Sequence, residues 1–212
     1  MAQYCLFDLD GTLTDSGLGI TGSAQYALRQ IGIDVPNRSD LNFCVGPPLL
    51  EVLTGHFGVD PETAEFAYKA YRAHYREYGL FENEVYPGIP ELLETLKARG
   101  KTLVVATSKP TEVARIILEH FGLLQYFDAV YGSEPPVRYA KPDVLRYAME
   151  MMNAEDLSEI MMIGDRKYDV EGARAVGVQC IGVTYGYGSR EELIEAGADI
   201  VVDTPAEVAD YV

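Results

Sequence analysis

Tyr4-Cys5-Leu6-Phe7-Asp8-Leu9-Asp10-Gly11-Thr12-Leu13-Thr14-Asp15 runs from a short apolar stretch into two carboxylates and then a glycine. Four apolar residues cut off by charge predict a buried strand, and the glycine marks where the chain turns away from it. Strand alternation puts Asp8 and Asp10 on the same side. Two carboxylates about 4 Å apart, at an effective dielectric near 20, repel by roughly 4 kcal/mol. The pair therefore implies a bound cation, a shared proton, or a task that separates the two pKa values. A plain polar strand end with a turn would not need such crowding.

Outward from this stretch, further apolar runs at 103–106, 129–131, 160–163, 180–183 and 200–202 read as strands. Amphipathic stretches at 111–121, 144–152, 170–176 and 191–196 read as helices between them. Strands alternating with helices predict an α/β fold, a doubly wound parallel sheet with helices on both faces. One interval breaks the rhythm. A crossover needs only a few tens of residues, yet the first strand ends near Asp8 and the next begins near Thr102. The interval carries helical candidates at 18–30, 49–57 and 62–78, with Pro47 and Pro48 placed to open the second and Pro61 the third. The expected organisation is a catalytic core of residues 1–14 and 87–212 with an inserted helical-bundle cap at 15–86. Within the cap, Tyr68, Tyr71, Arg72, Tyr75, Arg76 and Tyr78 crowd one helix, where packing with solvated arginines is the simpler reading and a ligand-facing Arg72 or Arg76 the alternative.

Three further clusters follow predicted strands. Gly164-Asp165-Arg166-Lys167-Tyr168-Asp169 follows Ile160-Met161-Met162-Ile163, and the carboxyl edge of an open α/β sheet is where ligands bind. Carboxylates converging there without a nearby His or Cys make an oxygen-rich site suited to Mg²⁺ rather than zinc. Taken alone, Asp165 could simply cap a helix. Thr107-Ser108-Lys109-Pro110 ends another apolar run ahead of a helix. Hydroxyls and free backbone N–H groups there could cradle a phosphate, while Ser108 as a plain N-cap explains the same residues. Ala140-Lys141-Pro142-Asp143 places a lysine just before a helix. A surface lysine is the default, and Lys141 gains weight only because an anionic centre needs a neutralising ammonium.

The composition is that of an ordinary globular protein, 48% hydrophobic and 24% charged over 212 residues. A formal net charge of −16 opposes long-range attraction to nucleic acid or an anionic membrane. Any phosphate-handling site must then be made locally positive. Cys5, Cys44 and Cys180 are odd in number and lack metal-ligand spacing, which predicts reduced, mostly buried thiols. The N-terminal apolar run is too short for a signal peptide or a span. The expectation is a cytoplasmic protein, monomeric or weakly dimeric, acting on a small molecule, with no nucleic-acid or membrane partner.

In order and placement the four motifs resemble the haloacid dehalogenase superfamily. Its phosphatase members carry Asp-x-Asp-Gly-Thr, then a Thr or Ser, then a Lys, then Gly-Asp-x-x-x-Asp. The resemblance runs along nearly the whole chain, and the helical insertion after the first motif matches members with a helical cap. It implies a Rossmann-like core, Asp8 as nucleophile, and Asp10 as general acid and then base. Thr107 with the Ser108 backbone would bind phosphate and Lys141 would neutralise charge. Mg²⁺ would be held by Asp8, the Asp10 backbone carbonyl and Asp165, with Asp169 behind them orienting water or Lys141. Two departures stand out: Arg166-Lys167 where a Ser is common, and Val144 where the lysine motif often ends in Pro. Gly164 to Asp169, with Gly46-Pro47-Pro48-Leu49 and Tyr185-Gly186-Tyr187-Gly188, is similar to a phosphatase subgroup that includes 5'-nucleotidases alongside the phosphoglycolate phosphatases.

The implied reaction is hydrolysis of a small phosphate monoester through an aspartyl-phosphate intermediate. A phosphosugar mutase shares Asp8, Asp10 and a helical cap and stands as the alternative. A receiver-type phosphorylation switch fits less well, because it has neither the large insertion nor the acid two residues after the nucleophile. Asp10 as a leaving-group acid argues against a dehalogenase and a phosphonatase.

Overall fold

A computed structural model of the chain describes residues 2–135 and 137–212. It divides into two compact units, one of residues 1–14 and 85–212 and one of residues 15–84. The chain passes between them at two short strands, β2 (Thr14–Asp15) and β3 (Glu84–Val85). The second crossing falls two residues earlier than residue 86, because Val85 and Tyr86 already belong to the larger unit; Tyr86 N donates to Leu13 O at 3.2 Å.

The larger unit is built on strands β1 (Tyr4–Phe7), β4 (Thr102–Pro110), β5 (Ala129–Ser133), β6 (Ile160–Gly164), β7 (Gln179–Val183) and β8 (Ile200–Val202). They form one sheet in the order β5-β4-β1-β6-β7-β8, every pairing parallel. The chain starts in the middle, moves one way through β4 and β5, then returns to build β6, β7 and β8 on the other side. Connections from β1 and β6 therefore depart in opposite directions and leave a crevice at their carboxyl ends, the switch point where ligands bind in such sheets. Register sets what meets there: Phe7 lies beside Val105 on one side and Ile163 on the other. Asp8 is thus level with the ends of both neighbours, and its N–H donates to Ile163 O at 2.9 Å.

The connecting helices are α4 (Ile89–Ala98), α5 (Thr111–His120), α6 (Lys141–Met152), α7 (Lys167–Val176), α8 (Arg190–Ala196) and α9 (Pro205–Val208). Val144, Leu145 and Ala148 of α6 and Val170 and Ala173 of α7 pack on Leu6, Val104, Ala106, Ile160, Met162 and Cys180. Alternation turns Cys5, Phe7, Leu103, Val105 and Ile163 to the opposite face, where α4 covers β4. Burial on both faces is why these strands read as continuous apolar runs.

The smaller unit holds α1 (Gly17–Gln30), a 3₁₀ segment (Arg38–Cys44), α2 (Leu49–Gly55), α3 (Pro61–His74) and a π turn (Tyr75–Gly79). Pro48 and Asp60 are the N-caps of α2 and α3, and the Asp60 carboxylate accepts from Glu62 N and Thr63 N at 3.1 Å. The π turn breaks α3 where the chain presses on α1: a Cβ at Gly19 would come 2.0 Å from Gly79 O. Tyr68, Tyr71 and Tyr75 stack on one another, and the Arg72 guanidinium lies 5.9 Å from the Tyr68 ring centre. His74 Nδ1 is 3.0 Å from Ser23 Oγ and its ring stacks on Tyr26. These groups pack within the unit. Cys5, Cys44 and Cys180 are buried and form no disulfide among the described residues. No helix among the described residues is long and apolar enough to cross a membrane.

Candidate active site

Asp8 and Asp10 leave β1 at the switch point, and Asp8 is only 4% exposed. Lys141, the first residue of α6, enters from the side and is 5% exposed. Its Nζ lies 2.9 Å from Asp8 Oδ1 and 2.8 Å from Asp169 Oδ1, and donates to Ala106 O at 3.1 Å. Burial works against the Lys141 ammonium, yet the Asp169 and Asp8 carboxylates outweigh it and hold its pKa above the ordinary lysine value. The lysine is therefore a fixed cation.

Asp169 sits in the first turn of α7, where its Oδ2 accepts from Arg166 N at 3.1 Å. Gly164 allows the approach, since a Cβ there would meet Asp169 Cβ at 2.3 Å. Burial pushes the Asp169 carboxyl up to about 6, against the opposing pull of Lys141. Asp165 is fully buried and its carboxyl is raised well above the usual range, first by burial and then by Asp169. Its Oδ1 accepts from Thr12 Oγ1 at 3.3 Å and its Oδ2 from Tyr187 N at 2.8 Å.

Asp8, Asp165 and Asp169 each offer a carboxylate oxygen, all within 4.8 Å of one another. Asp10 Oδ1 is buried without a hydrogen bond, while Asp8 Oδ1 and Asp169 Oδ1 are buried and share the one Lys141 ammonium. Crowded, under-satisfied oxygen donors with no nitrogen or sulfur among them suit Mg²⁺. The carboxylate grouping puts Asp169 beside Asp8 and Asp165. The Asp10 side chain points elsewhere: its Oδ2 is 2.9 Å from Lys109 Nζ. A role for Asp10 toward a metal would fall to its backbone carbonyl, as the motif resemblance implies.

Thr107 is buried, and its Oγ1 accepts from Lys109 N at 3.2 Å. The strand β4 continues through Ser108 to Pro110, which is the N-cap of α5. Ser108 is therefore not a helix cap, and the capping explanation of that residue falls. Arg166, at the departure from the motif, pairs through Nε with Glu192 Oε1 at 2.8 Å, and Lys167 N donates to the same oxygen at 2.9 Å. This pair ties the start of α7 to α8.

Two features carried no assigned role in the sequence. Lys109 is one. The other is the loop 185–188, which wraps Asp165: a Cβ at Gly186 would come 2.2 Å from Gly11 O and 2.4 Å from Asp165 Cβ, and one at Gly188 would come 2.0 Å from Asp165 O. Tyr185 Oη donates to Thr12 O at 3.1 Å, closing the loop onto the first motif. Alternating glycines after a strand were the available signal for close backbone approach.

The profile of the haloacid dehalogenase-like hydrolases matches residues 5–183, the whole span from β1 to the end of β7. The chain belongs to the haloacid dehalogenase-like hydrolases. Among curated relatives, this hydrolase is 49% identical over 191 residues to a 5'-nucleotidase of Pseudomonas aeruginosa, covering 89% of this chain and 85% of that one. It is 42% identical over 207 residues to the tyrosine-protein kinase PtkA of Mycobacterium tuberculosis, covering 97% of this chain and 70% of that one. It is 30% identical over 217 residues to a phosphoglycolate phosphatase of Vibrio vulnificus, covering 97% and 94%. The crystal structure of a predicted phosphatase from Clostridium acetobutylicum superposes with a TM-score of 0.96 at 49% identity, covering 99% of this chain and 97% of that one. The hydrolase is a phosphatase of this family, acting on phosphoric monoesters.

Proposed function

We propose that the protein is a Mg²⁺-dependent phosphatase that hydrolyses small phosphate monoesters through an aspartyl phosphate on Asp8, with phosphoglycolate and nucleoside monophosphates as the first substrate classes to test. The observation that carries this reading is the buried triangle of Asp8, Asp165 and Asp169 with Lys141 set against two of its corners. It combines a nucleophilic carboxylate, donors for a hard cation and a fixed ammonium.

In the first step an Asp8 oxygen bonds to phosphorus and the ester P–O bond breaks, while Asp10 gives its proton to the departing oxygen. In the second, water bonds to phosphorus, its proton goes to Asp10, and the Asp8–phosphorus bond breaks to release phosphate. Lys141 holds the Asp8 carboxylate in place and opposes the negative charge of the arriving phosphoryl group. Thr107 and the Ser108 backbone would bind that group's oxygens. Asp8, Asp165 and the Asp10 backbone carbonyl would hold Mg²⁺, with Asp169 beside them. When bound, the ion supplies further charge neutralisation for phosphoryl transfer.

The deciding experiment is Mg²⁺-dependent phosphate release from a panel of phosphoglycolate, nucleoside monophosphates and sugar phosphates, beside an Asp8→Asn control. Release abolished by the substitution supports the reading and ranks the substrates. Conversion of a sugar phosphate to its isomer without phosphate release would replace it with a mutase.

A further inference from the structure

Lys109 lies outside the motif scheme, yet its side chain is 7% exposed and pairs with Asp10, 11% exposed, at 2.9 Å. A lysine this buried is costly unless its charge is met, so the pairing is a property of the fold. Its origin lies in β4. Between Ala106 and Pro110 that strand advances four residues while β5 advances only two, from Tyr131 to Ser133. Bulges of this kind re-aim side chains beside active sites.

Several contacts seat the bulged backbone. Lys109 N donates to Thr107 Oγ1. Gly132 of β5 lets the neighbouring strand press in, since a Cβ there would come 2.2 Å from Lys109 O and 2.6 Å from Thr111 N. Gly132 N donates to Thr111 Oγ1 at 2.9 Å, and Arg138 Nε donates to Gly132 O at 2.8 Å. The ammonium is thus delivered by a fixed main chain. Asp10 is left asymmetric: Oδ2 is engaged by Lys109, and Oδ1 is buried without a hydrogen bond.

We propose that Lys109 is a positioning residue acting through Asp10, holding Oδ2 so that Oδ1 is the oxygen that gives and takes the proton. The inference rests on the phosphatase reading above. Lys109 keeps its own protons throughout, while the Asp10 proton passes to the leaving oxygen and is replaced from water.

The test compares the full-length protein with Lys109→Met, Lys109→Arg, Asp10→Asn and the Lys109→Met/Asp10→Asn double variant in Mg²⁺. Two esters are used: 4-nitrophenyl phosphate, whose leaving group departs without a proton, and the best alkyl ester of the panel. General acid catalysis contributes on the order of 10²–10⁴-fold, so Lys109→Met should lower kcat/KM for the alkyl ester by about 10²-fold. The loss with 4-nitrophenyl phosphate should stay under about threefold, because that bond breaks without the acid. Lys109→Arg should recover most of the loss. In the Asp10→Asn background Lys109→Met should cost less than about twofold more, the non-additivity of residues that act as a unit. Equal losses with both esters, or a full loss persisting without Asp10, would overturn the proposal. If Lys109→Met does not fold by thermal unfolding, Lys109→Gln carries the same comparison. A folded, Mg²⁺-bound wild type that releases phosphate from neither ester overturns the phosphatase reading and this inference together, whereas an active wild type with unsplit losses overturns this inference alone.

Discussion

Gly172 lies against the stem of Lys141: a Cβ added at position 172 would come 2.6 Å from Lys141 Cγ and 3.1 Å from its Cβ. The lysine has little room to yield, because Asp8, Asp169 and Ala106 O hold its far end. The α7–α6 packing that buries the core also fixes the cation of the proposed site.

Gly172→Ala sets two effects against each other. Replacing a helical glycine with alanine gains up to about 1 kcal/mol from propensity, while overpacking a dense interior costs about 1–3 kcal/mol. The clash should win, giving a net loss of about 1 kcal/mol by urea unfolding. Phosphate release should fall by about 10-fold or more, since small misplacements of catalytic groups are expensive. Gly55→Ala is the control, because nothing lies within 4 Å of a Cβ there; it should leave both quantities unchanged or raise stability slightly. Full activity in Gly172→Ala would show that Lys141 tolerates displacement.

Asp10→Asn removes the proposed proton carrier and keeps the side-chain shape. Turnover should drop by about 10²–10⁴-fold, with far-UV circular dichroism unchanged. Because Asp10 acts in both steps, acid-quenched samples should retain phosphate bound to protein for longer than wild type does. Near-normal turnover in the folded variant would remove Asp10 from the mechanism.

Much of the fold was legible because burial on both faces makes parallel strands read as unbroken apolar runs, and because a single long gap after Asp8 betrayed an insertion. The limits are physical as well. Strand β4 was expected to stop at Ala106, since Thr107-Ser108-Lys109-Pro110 has the composition of a turn into a helix; pairing with β5 and the bulge carry it on to Pro110. Lys109 was passed over for the same reason. Its partner is 99 positions away at the end of another strand, and no local pattern distinguishes such a lysine from a solvated one. Asp8, Asp165, Asp169 and Lys141 come together at the sheet edge, but the closeness of Asp169 to Asp8 depends on how α7 folds back over Gly164, which spacing alone does not reveal.

The raised carboxyls give a pH dependence with a definite sign. Asp169 moves from an ordinary value of 3.8 to about 6, and Asp165 also moves up. A group raised in the folded state favours folding below its unfolded value, and that contribution is lost as pH rises through the folded value. In metal-free protein Asp169 therefore costs stability as pH rises through about 6, and Asp165 acts in the same direction. A bound cation needs them ionised and relieves their repulsion. Mg²⁺ should raise the melting temperature by several degrees at pH 7.5 and by much less at pH 5. An equal shift at both values would mean that the ion binds away from Asp165 and Asp169.

The loop 185–188 supplies the last prediction. Gly186 lets it touch Gly11 O and Asp165 while Tyr187 N donates to Asp165 Oδ2. Gly186→Ala must push the loop off Asp165, break that bond or rotate the carboxylate. Partners that orient metal ligands are typically worth 10–100-fold in affinity, so Mg²⁺ should bind at least about 10-fold more weakly by calorimetry. The loss should appear with no substrate present, and excess Mg²⁺ should restore part of the phosphate release. Unaltered Mg²⁺ affinity with reduced release would move the loop's role from Asp165 to the first motif, through Tyr185 and Thr12.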